Sequence, residues 1–125
     1  MQQLHLCPAF IRWTDTFLSK RQIGLAFDGE REILQPVNTG IPQGLPISPI
    51  LYLIYLQFLL TTIQQQHPRT TTPGYIDDVS CLVVAESEEE NCKHLESVAR
   101  TVFKWGDRNA GAFDDPKTEL IHFHR

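Results

Sequence analysis

Two adjacent carboxylates, Asp77 and Asp78, interrupt an apolar stretch. Pro73-Gly74-Tyr75-Ile76 precedes them and Val79-Ser80-Cys81-Leu82-Val83-Val84 follows. The flanks carry the aromatic and β-branched residues that strands favour. Asp is a poor strand residue and a good turn residue, so the stretch 75–85 reads as a hairpin with both acids at its tip. Successive strand side chains point to opposite faces, but a tight turn can bring both acids to one edge. Two carboxylates that close resist joint ionisation, and a divalent cation removes the conflict. Mg²⁺ prefers oxygen ligands at about 2.0–2.1 Å and usually takes one or two carboxylates plus phosphate oxygens. Such ions, paired about 3.5–4 Å apart, suit phosphoryl transfer. A lone Asp-Asp pair is more often a solvated turn, so its surroundings decide its meaning.

The second stretch with chemical character lies about thirty residues earlier: Gly40-Ile41-Pro42-Gln43-Gly44-Leu45-Pro46-Ile47-Ser48-Pro49. Gly40 and Gly44 permit backbone conformations or close approaches that a side chain would forbid. Pro42, Pro46 and Pro49 stiffen the loop. Gln43 offers two donors and an acceptor on that stiff base. Such a loop suits a surface where a base pair or a sugar lies against backbone. Ser48-Pro49 then reads as the start of a helix, with Ser48 as N-cap and Pro49 at the first helical position.

The remaining elements must position these two stretches. Residues 8–21 read as a helix whose apolar stripe is Phe10, Trp13, Phe17 and Leu18. Residues 22–27 and 32–37 alternate as strands around Asp28-Gly29, a hairpin turn signal. Residues 50–63 form a helix apolar on nearly every face. It is shorter than the ~20 residues a membrane span needs, and its polar face lacks the Lys and Arg of an interfacial helix. Residues 67–72 read as a polar connector. Ser87-Glu88-Glu89-Glu90 is a capping box, and the acids from Glu86 to Glu90 read as a solvated helix start. A surface helix follows over 88–110, with Leu95, Val98, Val102 and Trp105 facing inward and Gly111 as its stop. Residues 117–125 read as a closing strand that places His122 and His124 on one face, as surface residues rather than ligands.

Composition sets limits. The chain has 125 residues, 42% of them apolar, enough for one modest core and too many for general disorder. Its net charge is −4. Proteins that grip phosphate backbones rely on Lys and Arg, so an acidic chain is a poor nucleic-acid binder by itself. Cys7, Cys81 and Cys92 are odd in number and scattered, with no zinc spacing. They point to a reducing compartment, with Cys81 a buried strand residue. The N-terminus lacks the basic region and apolar core of a signal peptide. The expected location is intracellular, nuclear or cytoplasmic.

The order of these elements resembles the palm of a reverse transcriptase from non-LTR (LINE-type) retrotransposons, over nearly the whole chain. The matching residues are Trp13 with Phe17-Leu18-Ser19-Lys20-Arg21, the loop 40–49, Tyr75-Ile76-Asp77-Asp78, and Lys117-Thr118-Glu119-Leu120-Ile121-His122-Phe123. The resemblance implies an α+β palm fragment with antiparallel strands packed against helices. It implies RNA-directed DNA synthesis with Mg²⁺ or Mn²⁺, on an RNA template with a DNA primer and dNTP. Asp77 and Asp78 would be catalytic, metal-binding carboxylates. Pro42, Gln43 and Gly44 would meet the template base and the incoming nucleotide, and Tyr75 would lie near the primer end. Lys117 would be the general acid toward departing pyrophosphate. Leu45 stands where many relatives have Ser.

The family's first catalytic Asp is expected upstream of residues 1–125, with most of the fingers, and the thumb downstream. Reverse transcriptases often carry Ala-Phe-Asp near the end of that earlier motif. Here Ala26-Phe27-Asp28 ends only twelve residues before Gly40, too close for the intervening helix, so Asp28 reads as a turn residue. Three functions follow as expectations. One is a polymerase palm that works only within a longer protein, and a second is a non-catalytic retroelement remnant that folds or binds a partner. A metal-dependent nuclease fits least, because it leaves the Pro-Gln-Gly loop unexplained.

Overall fold

A computed structural model describes residues 4–24, 26–27, 30–31, 33–75 and 78–123. Among them are three α-helices and eight short strands paired into antiparallel ladders, an α+β architecture as expected. The chain divides into two compact units, Met1–Ser48 and Pro49–Arg125, each described by itself.

In the first unit, Pro8 opens helix α1 (Pro8–Leu18), where its missing N–H costs nothing. Phe10, Trp13 and Phe17 stack along one side, with ring centroids 6.2 and 5.0 Å apart. The stripe is only partly covered: Trp13 is exposed, and the one buried residue of α1 is Thr14, whose hydroxyl donates to the Phe10 carbonyl at 2.9 Å. The helix stops at Leu18, three residues earlier than the sequence pattern suggests. Ser19 N donates to the Asp15 carbonyl at 3.0 Å, and Lys20 adopts a left-handed φ of 54°, which turns the chain. Arg21 therefore begins a strand. Strand β1 (Arg21–Ile23) pairs with β4 (Gln35–Val37), and β2 (Ala26–Phe27) pairs with β3 (Glu30–Arg31). These form the expected hairpin, with a shift of one residue in register between the ladders, as a bulge produces. Asp28 and Gly29, the expected turn, lie outside the described residues.

In the second unit, helix α2 (Ser48–Gln66, whose first residue belongs to the first unit) presents Leu56, Leu59 and Ile63 to a core shared with Val98 and Trp105 of helix α3 (Glu88–Asn109). Val102 and Phe113 pack against this cluster. Leu95, expected on the same stripe, is only half-buried. No helix of the described residues is long and apolar enough to cross a membrane. Tyr55 lies 4.9 Å from Trp105 between ring centroids and donates its hydroxyl to the Asn109 carbonyl at 3.1 Å. Burial, then the neighbouring Tyr52, raises the Tyr55 phenol above its ordinary value, which keeps that proton in place. Ser87 caps α3 by accepting from Glu90 N at 3.2 Å, half of the expected capping box.

The end of α3 departs from the sequence reading. The left-handed residue is Ala110, with φ 55°, while Gly111 N reaches the Gly106 carbonyl at 3.0 Å. Gly111 is glycine for space: a Cβ there would lie 2.5 Å from Tyr55 Oη. The closing strand over 117–125 is not formed among the described residues. A 3-10 turn (Asp115–Lys117) is followed by chain without a ladder partner, leaving Leu120, Ile121 and Phe123 exposed. Alternation alone cannot make a strand when no edge receives it. His122, expected on the surface, is half-buried, with Nε2 3.6 Å from Glu88 Oε1 and 3.8 Å from Cys92 Sγ on α3. His124 lies outside the described residues.

Two predictions follow from this packing. Alanine normally improves a helix over glycine by about 1 kcal/mol. At Gly106, however, a Cβ would lie 2.5 Å from the Gly111 carbonyl oxygen and 2.9 Å from the Phe113 ring. Overpacking costs about 1–3 kcal/mol, so Gly106→Ala is expected to lower stability in urea unfolding, and a stabilised variant would contradict this packing. The second concerns His67, which is buried. Its Nε2 lies 2.9 Å from Thr101 Oγ1, and its ring meets His94 edge-on at 5.7 Å. Burial, then the charge of His94, lowers its pKa below the ordinary 6.5. The folded state then binds the proton more weakly than the unfolded one. The stability from neutral His67 is complete above about pH 6.5 and is lost as pH falls toward the lowered folded pKa. The melting temperature is expected to drop on acidification through this window, with a shallower slope in His67→Gln.

Candidate functional site

Strands β5 (Thr70–Thr71) and β8 (Leu82–Val83) pair antiparallel, as do β6 (Gly74–Tyr75) and β7 (Asp78–Val79). All four residue pairs share one register, so the two ladders are one hairpin, longer than the expected 75–85. The supposed connector therefore contributes a strand. Its composition hid this: Pro68, Arg69 and Pro73 frame three threonines, and a proline cannot donate to a ladder. The interruption falls at Pro73, whose carbonyl still accepts from Ser80 N at 3.0 Å.

Tyr75 stands opposite Asp78, the cross-strand pair next to the two-residue connection Ile76-Asp77. Tyr75 is 75% exposed and Asp78 is also exposed, so both are open to a ligand. Ile76 and Asp77 lie outside the described residues. Further along the hairpin, Val79 and Cys81 pack against the core of the second unit. Burial pushes the Cys81 thiol up, which leaves it an inert apolar contact, though half-buried and just ahead of β8 (Leu82–Val83) rather than the buried strand residue expected. At the base, Thr70 is buried, its hydroxyl 3.1 Å from His94 Nε2 and its N–H donating to the His67 carbonyl at 2.9 Å. Arg69 meets Glu90 of α3 at 3.3 Å.

The loop 40–49 ends the first unit. Gly40 and Gly44 adopt φ values of 77° and 82°, in the left-handed region. A Cβ at either would meet nothing within 4 Å, so here the need for glycine is conformational. Gln43 and Gly44 are exposed and Pro42 is half-buried. Ser48 behaves differently from the expected N-cap. It is the first residue of α2, and its hydroxyl donates to the Pro42 carbonyl while its N–H donates to the Leu45 carbonyl at 3.0 Å. The reason is a shortage of donors: Pro42, Pro46 and Pro49 contribute no N–H, so the hydroxyl proton closes the loop. The other end is held by Arg21, whose Nη2 donates to the Gly40 carbonyl at 2.7 Å and the Thr39 carbonyl at 3.2 Å. A cation directly after a helix end was the available sequence signal for this role.

Lys117 closes the 3-10 turn and pairs with Asp114 at 2.9 Å, both side chains largely exposed. An exposed pair of this kind is worth little, so the amine is readily released. Thus Pro42, Gln43 and Gly44 share one loop, Tyr75 and Asp78 share one cross-strand pair, and Lys117 belongs to a separate turn. Among the described residues no three His, Cys, Asp or Glu side chains are grouped to hold a metal ion. A carboxylate such as that of Asp78 is an oxygen donor of the kind Mg²⁺ takes together with phosphate oxygens.

A family model for reverse transcriptase (RNA-dependent DNA polymerase) matches residues 1–122. The chain belongs to the reverse transcriptase family. Comparisons with curated proteins and with solved structures return no match. Reverse transcriptases as a family copy RNA into DNA on a template and primer, using divalent metal ions. The exposed hairpin pair and the glycine-proline loop are thus parts of a reverse transcriptase domain.

The loop's backbone demand can be tested. An L-residue in the left-handed region costs about 1–2 kcal/mol. Gly44→Ala is therefore expected to lower stability by roughly that amount in urea unfolding. Gly44→Asn should recover much of it, because Asn tolerates this region.

Proposed function

We propose that this chain is part of the palm of an RNA-directed DNA polymerase from a non-LTR retroelement. The observation that carries the reading is Tyr75 and Asp78 paired and exposed beside Ile76-Asp77, in a chain that also holds the loop 40–49. In this reading Asp77 and Asp78 are the carboxylates that hold Mg²⁺ or Mn²⁺. When bound, the ions would activate the attacking oxygen and neutralise charge on the leaving group. Pro42, Gln43 and Gly44 present backbone and a side-chain amide to the template base and the incoming dNTP. Tyr75 supports the primer end. Lys117 gives a proton from Nζ to the departing pyrophosphate, once freed from Asp114. In this reading a longer protein supplies the first catalytic Asp, most of the fingers and the thumb, and synthesis needs that longer protein.

A second reading, a non-catalytic remnant, is favoured by the net charge of −4, which repels a phosphate backbone. Primer extension on an RNA template with Mg²⁺ or Mn²⁺ separates the two. A longer protein that includes an in-frame upstream Asp motif is expected to incorporate dNTP, and the 125-residue chain alone is not. Asp77→Asn and Asp78→Asn should each lower incorporation by more than about 100-fold, since losing even an outer-shell partner of a metal ligand costs 10–100-fold. A longer protein without incorporation favours the remnant. Unchanged activity in both variants removes the acids from the site.

A further inference from the structure

We infer that Arg21 is a positioning residue that sets the entry of the loop 40–49 and thereby the placement of Gln43 and Gly44. The inference rests on the reading of that loop as the template and nucleotide contact. One guanidinium joins three backbone carbonyls. Nε donates to Leu18 at 2.9 Å, at the end of α1, and Nη2 donates to Thr39 at 3.2 Å and Gly40 at 2.7 Å. The backbone of Arg21 is meanwhile held in the ladder opposite Val37. A helix end, a strand and the loop entry are therefore fixed by one residue.

The local backbone is arranged to make this reach possible. Ser19 Oγ and N both donate to the Asp15 carbonyl, at 2.6 and 3.0 Å, which ends the helix. Lys20 then takes the left-handed φ of 54° that non-glycine residues avoid, turning Arg21 back across the helix end. The cation also complements the negative end of the helix dipole there. Gly40, whose carbonyl receives the shortest of the three bonds, is itself left-handed at φ 77°. With Ser48 closing on Pro42 at the exit, the loop is tied at both ends, while Gln43 and Gly44 between the ties stay exposed. A planar fork suits several carbonyls in fixed directions, whereas a lysine ammonium is a point donor on a flexible stem.

The test uses the full chain with Arg21→Lys and Arg21→Gln. Backbone ¹⁵N order parameters are read at Gly40, Ile41, Gln43 and Gly44, with melting temperature and with affinity for a fluorescent RNA–DNA template–primer. Order parameters near 0.85 in the wild type should fall below about 0.6 in both variants, with α1 unchanged. Misplacement of about 1 Å by a remote residue can cost 100-fold, and a loosened loop is expected to cost about tenfold in affinity. Arg21→Lys keeps charge and stem, so its melting temperature should stay near wild type while the loop loosens. A merely structural arginine would instead show a lowered melting temperature with loop order and affinity intact. Unchanged loop order in Arg21→Lys overturns the proposal, and this arm stands even if Arg21→Gln fails to fold. Loop order lost in both variants, with template–primer affinity unchanged in a longer protein that carries them, upholds the brace and counts against the loop as the template and nucleotide contact.

Discussion

The contact between Leu56, Leu59 and Ile63 on one helix and Val98 and Trp105 on another is the constraint from which the second unit follows. Helix α2 is apolar on nearly every face, and such a helix is stable in water only where neighbours cover it. Leu59 and Ile63 are sealed completely. Burying a side chain of this size is worth about 1.5–3 kcal/mol, more than any exposed ion pair on α3 supplies. Glu89–Lys93 and Glu96–Arg100 decorate the outer face and contribute only tenths of a kcal/mol each. Register between the helices is therefore an apolar matter, and the glycines that let the chain return past Trp105 serve the same end.

The hairpin with the acid pair inherits its position from that core. A two-stranded hairpin is marginal by itself in water. Here Val79 and Cys81 anchor it from one strand, and Thr70 anchors it from the other through His94. The polar ties at the base work because they are buried and mutually satisfied. His67 accepts or donates to Thr101, its carbonyl takes Thr70 N–H, and its own N–H reaches Ile63. Buried polar groups of this kind are costly if unpaired, so they specify one arrangement of turn, strand and helix. The same cluster makes the base of the hairpin sensitive to protonation.

What could be read from the residues themselves was whatever depends on near neighbours. Ser87 with Glu90 announces a helix start because cap and N–H lie within four residues. The Val98–Trp105 stripe is likewise local in origin. The errors have the opposite character. Thr70-Thr71 is a strand only because Leu82-Val83 lies beside it, and residues 118–123 are not one because no strand pairs with them among the described residues. Ser48 turns from cap to loop closure because three prolines leave Pro42 without a backbone donor. Gly111 looked like a conformational stop, whereas its smallness is needed for Tyr55, so Ala110 bears the left-handed strain instead. Of the candidate site, residue types and motif spacing were legible. The brace by Arg21, which joins carbonyls eighteen and nineteen positions away, was not.

The electrostatics of the site connect these levels. An exposed carboxylate at the end of a narrow hairpin gains nothing for the fold: Asp78 makes no core contact and is a poor strand residue, and its neighbour in sequence carries the same charge. An acid at that position costs local stability rather than adding to it. The loop shows the same trade. Its two left-handed glycines have open space where a Cβ would sit, so packing within the chain does not call for them. Stiff prolines, a tied entry and a tied exit nevertheless hold it in one shape around an exposed amide. Local expense in both stretches, with firm anchorage behind each, is not what stability alone would select.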